Sequence, residues 1–155
     1  MSKVSPAASG IEPRRRALAL LARAEPHELA APLDRFWTAL RFRDLKPAEA
    51  GLVMLRGRAG GDGGAFNLGE ATVARAVVEL ETGQRGYGHI LGRDLEQARR
   101  VAIFDALWQR EPETVQARVL NPIAARLEAS RLKVAGETAA TRVDFFTLVR
   151  GEDAA

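Results

Sequence analysis

The stretch RGRAGGDGGAFNLGE, Arg56 to Glu70, holds six glycines in fifteen positions. Each glycine loses more backbone entropy on ordering than any other residue, so so dense a run weakens a helix or strand that contains it. On either side lie GLVMLRGRA (Gly51 to Ala59) and ATVARAVVELE (Ala71 to Glu81), which read as strands. The segment therefore forces a long hairpin. Its glycines can serve as a phosphate cradle, as a docking loop for another protein, or as a plain hairpin tip.

The neighbouring pattern extends the hairpin into a meander. Along the second strand Thr72, Ala74, Ala76, Val78 and Leu80 share one face, and Ala71, Val73, Arg75, Val77 and Glu79 share the other. Thr82 to Gln84 reads as a turn, and RGYGHIL (Arg85 to Leu91) as the returning strand. A further short strand is expected near Phe42 to Leu45. Consecutive strands joined by turns favour antiparallel order over crossover units.

Helices are expected on both sides of the sheet in sequence. Residues 1–11 read as a flexible leader, with a helix from Glu12 whose Leu18, Leu21 and Ala22 share a face and whose Arg14, Arg15 and Arg16 point to solvent. A second helix is expected from Pro26 to about Leu40, kinked or split by Pro32, with Leu29, Leu33, Phe36, Trp37 and Leu40 packing inward. Asp94 reads as the N-cap of a third helix, with Gln97 completing a capping-box-like pair. In that helix VAIFDALW, Val101 to Trp108, has one polar residue in eight. Such a segment lacks the polar face of a surface helix, so it is central to the fold or covered by a second protein. Its Asp105 requires a partner, and an arginine is the candidate. A helix or helix pair follows from about Pro112 to Ala135, interrupted near Asn121-Pro122 and stopped at Gly136. In TRVDFFTLVRG, Val143, Phe145, Thr147 and Val149 alternate with Asp144, Phe146, Leu148 and Arg150. That predicts a last strand with apolar groups on both faces. The fold class is α+β: an antiparallel meander of about four strands packed with helices, plus the C-terminal strand. The expected domain is 12–151, with a short tail over 152–155.

Composition excludes several functions. The chain has 155 residues with a formal charge of +3, acids and bases interleaved, so no basic face marks a nucleic-acid site. No apolar run approaches the roughly 20 residues of a membrane span. The start, MSKVSPAASGIEP, has no apolar signal core, and with no cysteine in the chain a cytoplasmic location is expected. A P-loop is absent, because no lysine lies between Lys46 and Lys133. Gly86-x-Gly88-x-x-x-Gly92 is one residue too long for a dinucleotide fingerprint. His27 and His89 are too few and too separated for a histidine-rich metal site. Asp62 and Glu70 bracket the glycines, where turn hydrogen bonds are the simpler role. The helix start beside Arg93 attracts anions, but the Asp94 carboxylate competes for the same donors. No complete active site emerges, and neither a catalytic residue nor a metal site is assigned.

Three segments carry a resemblance: RGRAGGDGGAFNLGEATVARA, GYGHILGRDLEQARRVAIFDAL and ATRVDFFTLVRG. In order and spacing they are similar to those of PhnG proteins, subunits of the bacterial carbon–phosphorus lyase core complex. Ala74 departs from the threonine expected before Arg75, which could alter a contact in the glycine hairpin. The resemblance implies partners of the PhnI, PhnH, PhnJ and PhnL types. It implies that with PhnI, PhnH and PhnL the chain is required to exchange the adenine of ATP for methylphosphonate, giving α-D-ribose 1-methylphosphonate 5-triphosphate. It thereby implies a subunit of a multi-subunit transferase, itself not catalytic and without a cofactor of its own; ATP and methylphosphonate are substrates of the assembly. On that footing the glycine segment reads as a docking loop: Gly60, Gly61, Asp62, Gly63, Asn67, Gly69 and Glu70, with Phe66 and Leu68 as apolar anchors. The alternative is that Arg56, Arg58, Arg75 and Arg93, with glycine N–H groups, touch triphosphate or phosphonate at a shared site. Val143, Asp144, Phe145, Phe146, Val149 and Arg150 are expected at a second subunit interface.

Overall fold

A computed structural model describes residues 6–140 apart from 61, with side chains over 12–138. The expected C-terminal strand, with Val143, Asp144, Phe145, Phe146, Val149 and Arg150, lies outside the described residues, as does Gly61. The chain divides into two units, Met1–Ala124 and Ala125–Ala155.

In the first unit, β1 (Phe42–Arg58), β2 (Ala65–Leu80) and β3 (Arg85–Leu91) form one antiparallel sheet in the order β1-β2-β3. The described residues thus hold three strands rather than about four. The short strand at Phe42 to Leu45 and the one at Gly51 are a single β1. Register shifts on both sides of Lys46 absorb Pro47, which has no N–H to give a ladder. Likewise β2 starts at Ala65, six residues before the expected Ala71, because cross-strand pairing carries it through Asn67 and Gly69.

Helix α1 (Pro6–Leu21) begins ahead of the expected Glu12 and contains Pro13. Helix α2 (Pro26–Phe36) stops at Phe36, short of Leu40. Pro32 neither splits nor ends it: a lone proline removes one hydrogen bond while the rest of the helix persists. Trp37 turns inward instead, its ring edge-on to Phe104 at 5.4 Å and its Nε1 donating to Glu111 Oε1 at 3.0 Å. Burial pushes the Glu111 carboxyl up, but hydrogen bonds from Arg110 and Trp37 outweigh it and hold the group below its ordinary value.

Helix α3 (Leu95–Arg110) is the centre of the fold. Val101 to Leu107 are all buried, so the apolar run is covered by this chain itself. It packs on the face of Ala74, Ala76, Val78 and Leu80, all of them buried. The departure at Ala74 is buried in this layer, across from Ala50 of β1 in the body of the hairpin. The approach of helix and sheet depends on two glycines. A Cβ at Gly88 would lie 1.8 Å from the Ala98 carbonyl oxygen, and one at Gly86 would lie 1.8 Å from that of Ala102. Gly86-x-Gly88 on one face of a strand therefore meets Ala98, Ala102 and Ala106, spaced four apart along the helix.

Asp105 is almost wholly buried and is held on three sides. Arg14 donates from Nε to Oδ1 at 2.9 Å and from Nη2 to Oδ2 at 2.7 Å, and the Tyr87 backbone N–H donates to Oδ2 at 2.9 Å. The arginine partner is as expected, but its identity corrects the first helix: Arg14 is not in solvent with Arg15 and Arg16. Its guanidinium is held protonated beyond its usual range by the hydrogen bonds to Asp105, despite the cost of burial. Arg14 and Gln109 also donate to the Arg85 carbonyl, so side chains occupy part of the free edge of β3.

After α4 (Pro112–Val115), a π-type turn over Gln116–Leu120 leads into α5 (Asn121–Ala140). Pro122 explains the turn. It has no N–H for the Arg118 carbonyl and would collide with it, and one wider turn relieves both problems. In the second unit α5 runs through Gly136 to Ala140, so that glycine is not a stop. A glycine inside a helix costs only about 1 kcal/mol relative to alanine.

Two expected outcomes test this architecture by urea unfolding. Gly88→Ala forces α3 off the sheet and costs about 3 kcal/mol, whereas Gly64→Ala, with open space around its Cβ, is close to neutral. Arg14→Ala leaves the Asp105 carboxylate buried with one backbone donor and costs about 3 kcal/mol.

Candidate functional site

Strand β3 pairs with β2 only over Val73 to Glu79. Beyond it, β1 and β2 continue as a two-stranded ribbon from the pair Leu52–Thr72 to Arg58–Ala65. A two-stranded ribbon is marginal in water when nothing covers it. Here the turn is closed by the Gly63 N–H donating to the Ala59 carbonyl at 2.9 Å and the Asp62 N–H donating to that of Gly60 at 2.8 Å. Gly60 has φ +59°, and a Cβ at Gly63 would stand 2.2 Å from the Ala59 oxygen. These two glycines make the turn. The glycine segment is therefore paired strand up to Arg58 and again from Ala65.

Within the ribbon the register shifts between Leu55 and Arg56: Leu55 pairs with Gly69, but Arg56 pairs with Asn67. Leu68 is the extra residue of a β-bulge, and Gly69 has φ +147°, which a side-chain-bearing residue rarely adopts. Strict alternation from Glu70 would place Leu68 on the Glu70 face. The bulge turns it over instead. Leu68 lies against Gly57, where a Cβ would meet its Cδ1 at 2.6 Å, and Gly57 pairs with Phe66. Leu55, Phe66 and Leu68 thereby share one face, at 44%, 45% and 62% exposure. For three large apolar side chains this is a concentrated exposed patch.

The opposite face carries Leu52, Met54, Arg56 and Arg58, with Glu70 across from Met54 and Asn67 across from Arg56. Arg58 Nη1 donates to the Gly63 carbonyl at 3.4 Å. Arg75 is not part of this group. It sits across from Glu49 and donates to its Oε1 at 2.7 Å, an acceptor shared with Lys46. These two bonds hold the Glu49 carboxyl below its ordinary value, Lys46 first. Glu49 and Arg56 are about 23 Å apart along a strand rising about 3.3 Å per residue. Arg93 is exposed after β3, and the Asp94 carboxylate beside it accepts from the Gln97 N–H at 2.9 Å, filling the helix start. The four arginines are thus not gathered into one phosphate site on this chain. The Gln97 side chain does not return the cap; it donates to the Ala24 carbonyl instead.

Elsewhere, His27 is exposed 3.6 Å from Glu25, and His89 is exposed on β3 across from Arg75. Among the described residues no three of His, Asp and Glu converge on a point. Shallow depressions of about 310, 330 and 460 Å³ lie around Trp37 to Phe42, at the end of β1 far from the ribbon tip. They bring Arg41 beside Glu81 but assemble no nucleophile and base.

Sequence reasoning named Phe66 and Leu68 but missed Leu55, Gly57 and the reason the three meet. The signal was a glycine inside alternating residues, Asn67-Leu68-Gly69-Glu70, which marks a bulge.

The family model described as "Phosphonate metabolism protein PhnG" matches residues 12–151. A relative from Rhizobium meliloti (strain 1021), named alpha-D-ribose 1-methylphosphonate 5-triphosphate synthase subunit PhnG, is 49% identical over 146 residues, covering 94% of each chain.

Because the bulge depends on a positive φ, Gly69→Ala strains the ribbon by about 1–2 kcal/mol. The expected readout is faster amide hydrogen exchange from Phe66 to Glu70, with exchange in α3 unchanged.

Proposed function

The chain belongs to the PhnG family, and from that premise we propose that it is a non-catalytic subunit of an α-D-ribose 1-methylphosphonate 5-triphosphate synthase, acting in phosphonate catabolism. The observation that carries the reading is the near full-length match to a relative named as that subunit. The assembly exchanges the adenine of ATP for methylphosphonate. The glycosidic bond to adenine breaks, a bond from the ribose anomeric carbon to a phosphonate oxygen forms, and the triphosphate stays on the ribose. PhnI, PhnH and PhnL-type subunits are the proposed partners in this step, with PhnJ in the same core complex, in the cytoplasm.

Within that assembly the chain's work is docking. Leu55, Phe66 and Leu68 have the size, exposure and clustering of an interface centre. The glycines beneath and beside them keep the ribbon thin. Direct contact of this chain with the triphosphate through a joint cluster of Arg56, Arg58 and Arg75 is disfavoured, since Arg75 is engaged by Glu49 well away from the other two.

The test is complementation. In a strain lacking its own copy of this subunit, the wild-type chain restores growth on methylphosphonate as sole phosphorus source. The Phe66→Ser/Leu68→Ser chain does not, and it fails to co-purify with the other subunits although it folds, because both side chains lie outside the core. Purified alone, neither chain binds ATP in a calorimetric titration; saturable binding by the isolated chain would overturn the subunit reading.

A further inference from the structure

The arginine face of the ribbon has not been given a role by docking through the apolar face. Seven arginines of the body pair with carboxylates: Arg14 with Asp105, Arg16 with Glu12, Arg43 and Arg85 with Glu79, Arg75 with Glu49, Arg99 with Asp44 and Arg110 with Glu111. Arg56 and Arg58, side by side on the ribbon, form no such pair. Among the described residues Arg56 has no side-chain partner, and Arg58 reaches only the Gly63 carbonyl. They stand two residues apart on one strand and so share a face with Leu52 and Met54, at 62% and 53% exposure. Glu70 is the one carboxylate on that face, leaving it with a positive excess.

We infer that the partner subunit encloses the ribbon on both faces, with an apolar pocket against Leu55, Phe66 and Leu68 and carboxylates against Arg56 and Arg58. This rests on the docking role proposed above and adds the chemistry of the partner. Two apolar faces on a ribbon one strand-pair wide call for a cleft, because a flat surface would leave Leu52 and Met54 in water. Burying those two carries Arg56 and Arg58 out of solvent with them, and a desolvated cation without an anionic partner is costly. The cleft must therefore present acids at that depth.

The same features exclude other occupants. A second copy would bring the same two arginines toward its own. A membrane is disfavoured by the order of residues, since the tip holds Gly60, Asp62 and Gly63 with Arg58 behind it, and the apolar groups lie in the stem. A lipid-inserting hairpin needs the reverse.

The experiment uses the remaining synthase subunits, purified together without this chain, and measures binding of the full chain to them at increasing salt. Wild-type binding is expected to weaken about tenfold between roughly 50 and 500 mM salt. Arg56→Glu/Arg58→Glu is expected to bind about 30-fold more weakly at low salt and, its acids now facing acids, to bind more tightly as salt rises. Circular dichroism of each variant, matching wild type, keeps misfolding apart from lost contact. If the charge-reversed chain binds as tightly as wild type, the acidic wall is overturned while the docking role stands. If it binds normally but the reconstituted synthase shows a raised KM for ATP, the arginines face triphosphate and the inference is equally overturned. If Phe66→Ser/Leu68→Ser also binds normally, the docking role itself fails.

Discussion

The bond set around Asp105 ties together three elements that are distant in sequence. A carboxylate in the middle of an otherwise apolar run of a helix is tolerable only when each oxygen finds a donor. Arg14 supplies two from α1, and the Tyr87 N–H supplies one from β3. One side chain thereby sets where the first helix lies, how far along the sheet the central helix sits, and what happens at the sheet edge. The Arg14 guanidinium also passes within 5.8 Å of the centre of the Tyr87 ring, so the outer side of the same strand is engaged by the same residue.

The register of α3 on the sheet matters because Gly86 and Gly88 allow backbone to touch backbone. The helix rests directly on the strand only where Ala98, Ala102 and Ala106 oppose the glycines. A shift of one residue would bring larger side chains into the contact. The interior is then filled by Phe104, Leu107, Leu29 and Leu120 around the helix, and Trp37 closes one side. With α3 wholly consumed in this way, five large apolar side chains stay exposed on the ribbon, Leu52, Met54, Leu55, Phe66 and Leu68, beside Leu45, Tyr87 and Leu91 elsewhere on the sheet.

Much of this is legible in the residues. The alternation from Thr72 to Leu80 sorts the residues of β2 into its two faces, Asp94 with Gln97 identifies the start of α3, and the solitary Asp105 in an apolar run implies its arginine. Which arginine was not legible, because the contact spans most of the first unit. The glycine segment shows the other kind of limit. Glycine disfavours strands in isolation, yet cross-strand pairing overrides that preference and continues both strands through Gly57 and Gly69. Gly86 and Gly88 read as a defective nucleotide motif for the same reason: the helix that explains them begins several residues later, and its contact is tertiary. Pro32 and Gly136 were over-read as breaks, since each costs a helix a limited amount that its neighbours can carry.

The two borders of the sheet are unequal. Along β3 the Tyr87 N–H and the Arg85 carbonyl are taken up by Asp105, Arg14 and Gln109, whereas β1 ends the sheet on the other side with no strand beside it among the described residues. A sheet open at both borders can polymerise, each copy templating the next. Where backbone groups of one border are already engaged, an incoming strand finds fewer free donors and acceptors there. The carboxylate that organises the interior thus also blunts this border, since Asp105 and the side chains beside it hold backbone groups that another strand would need.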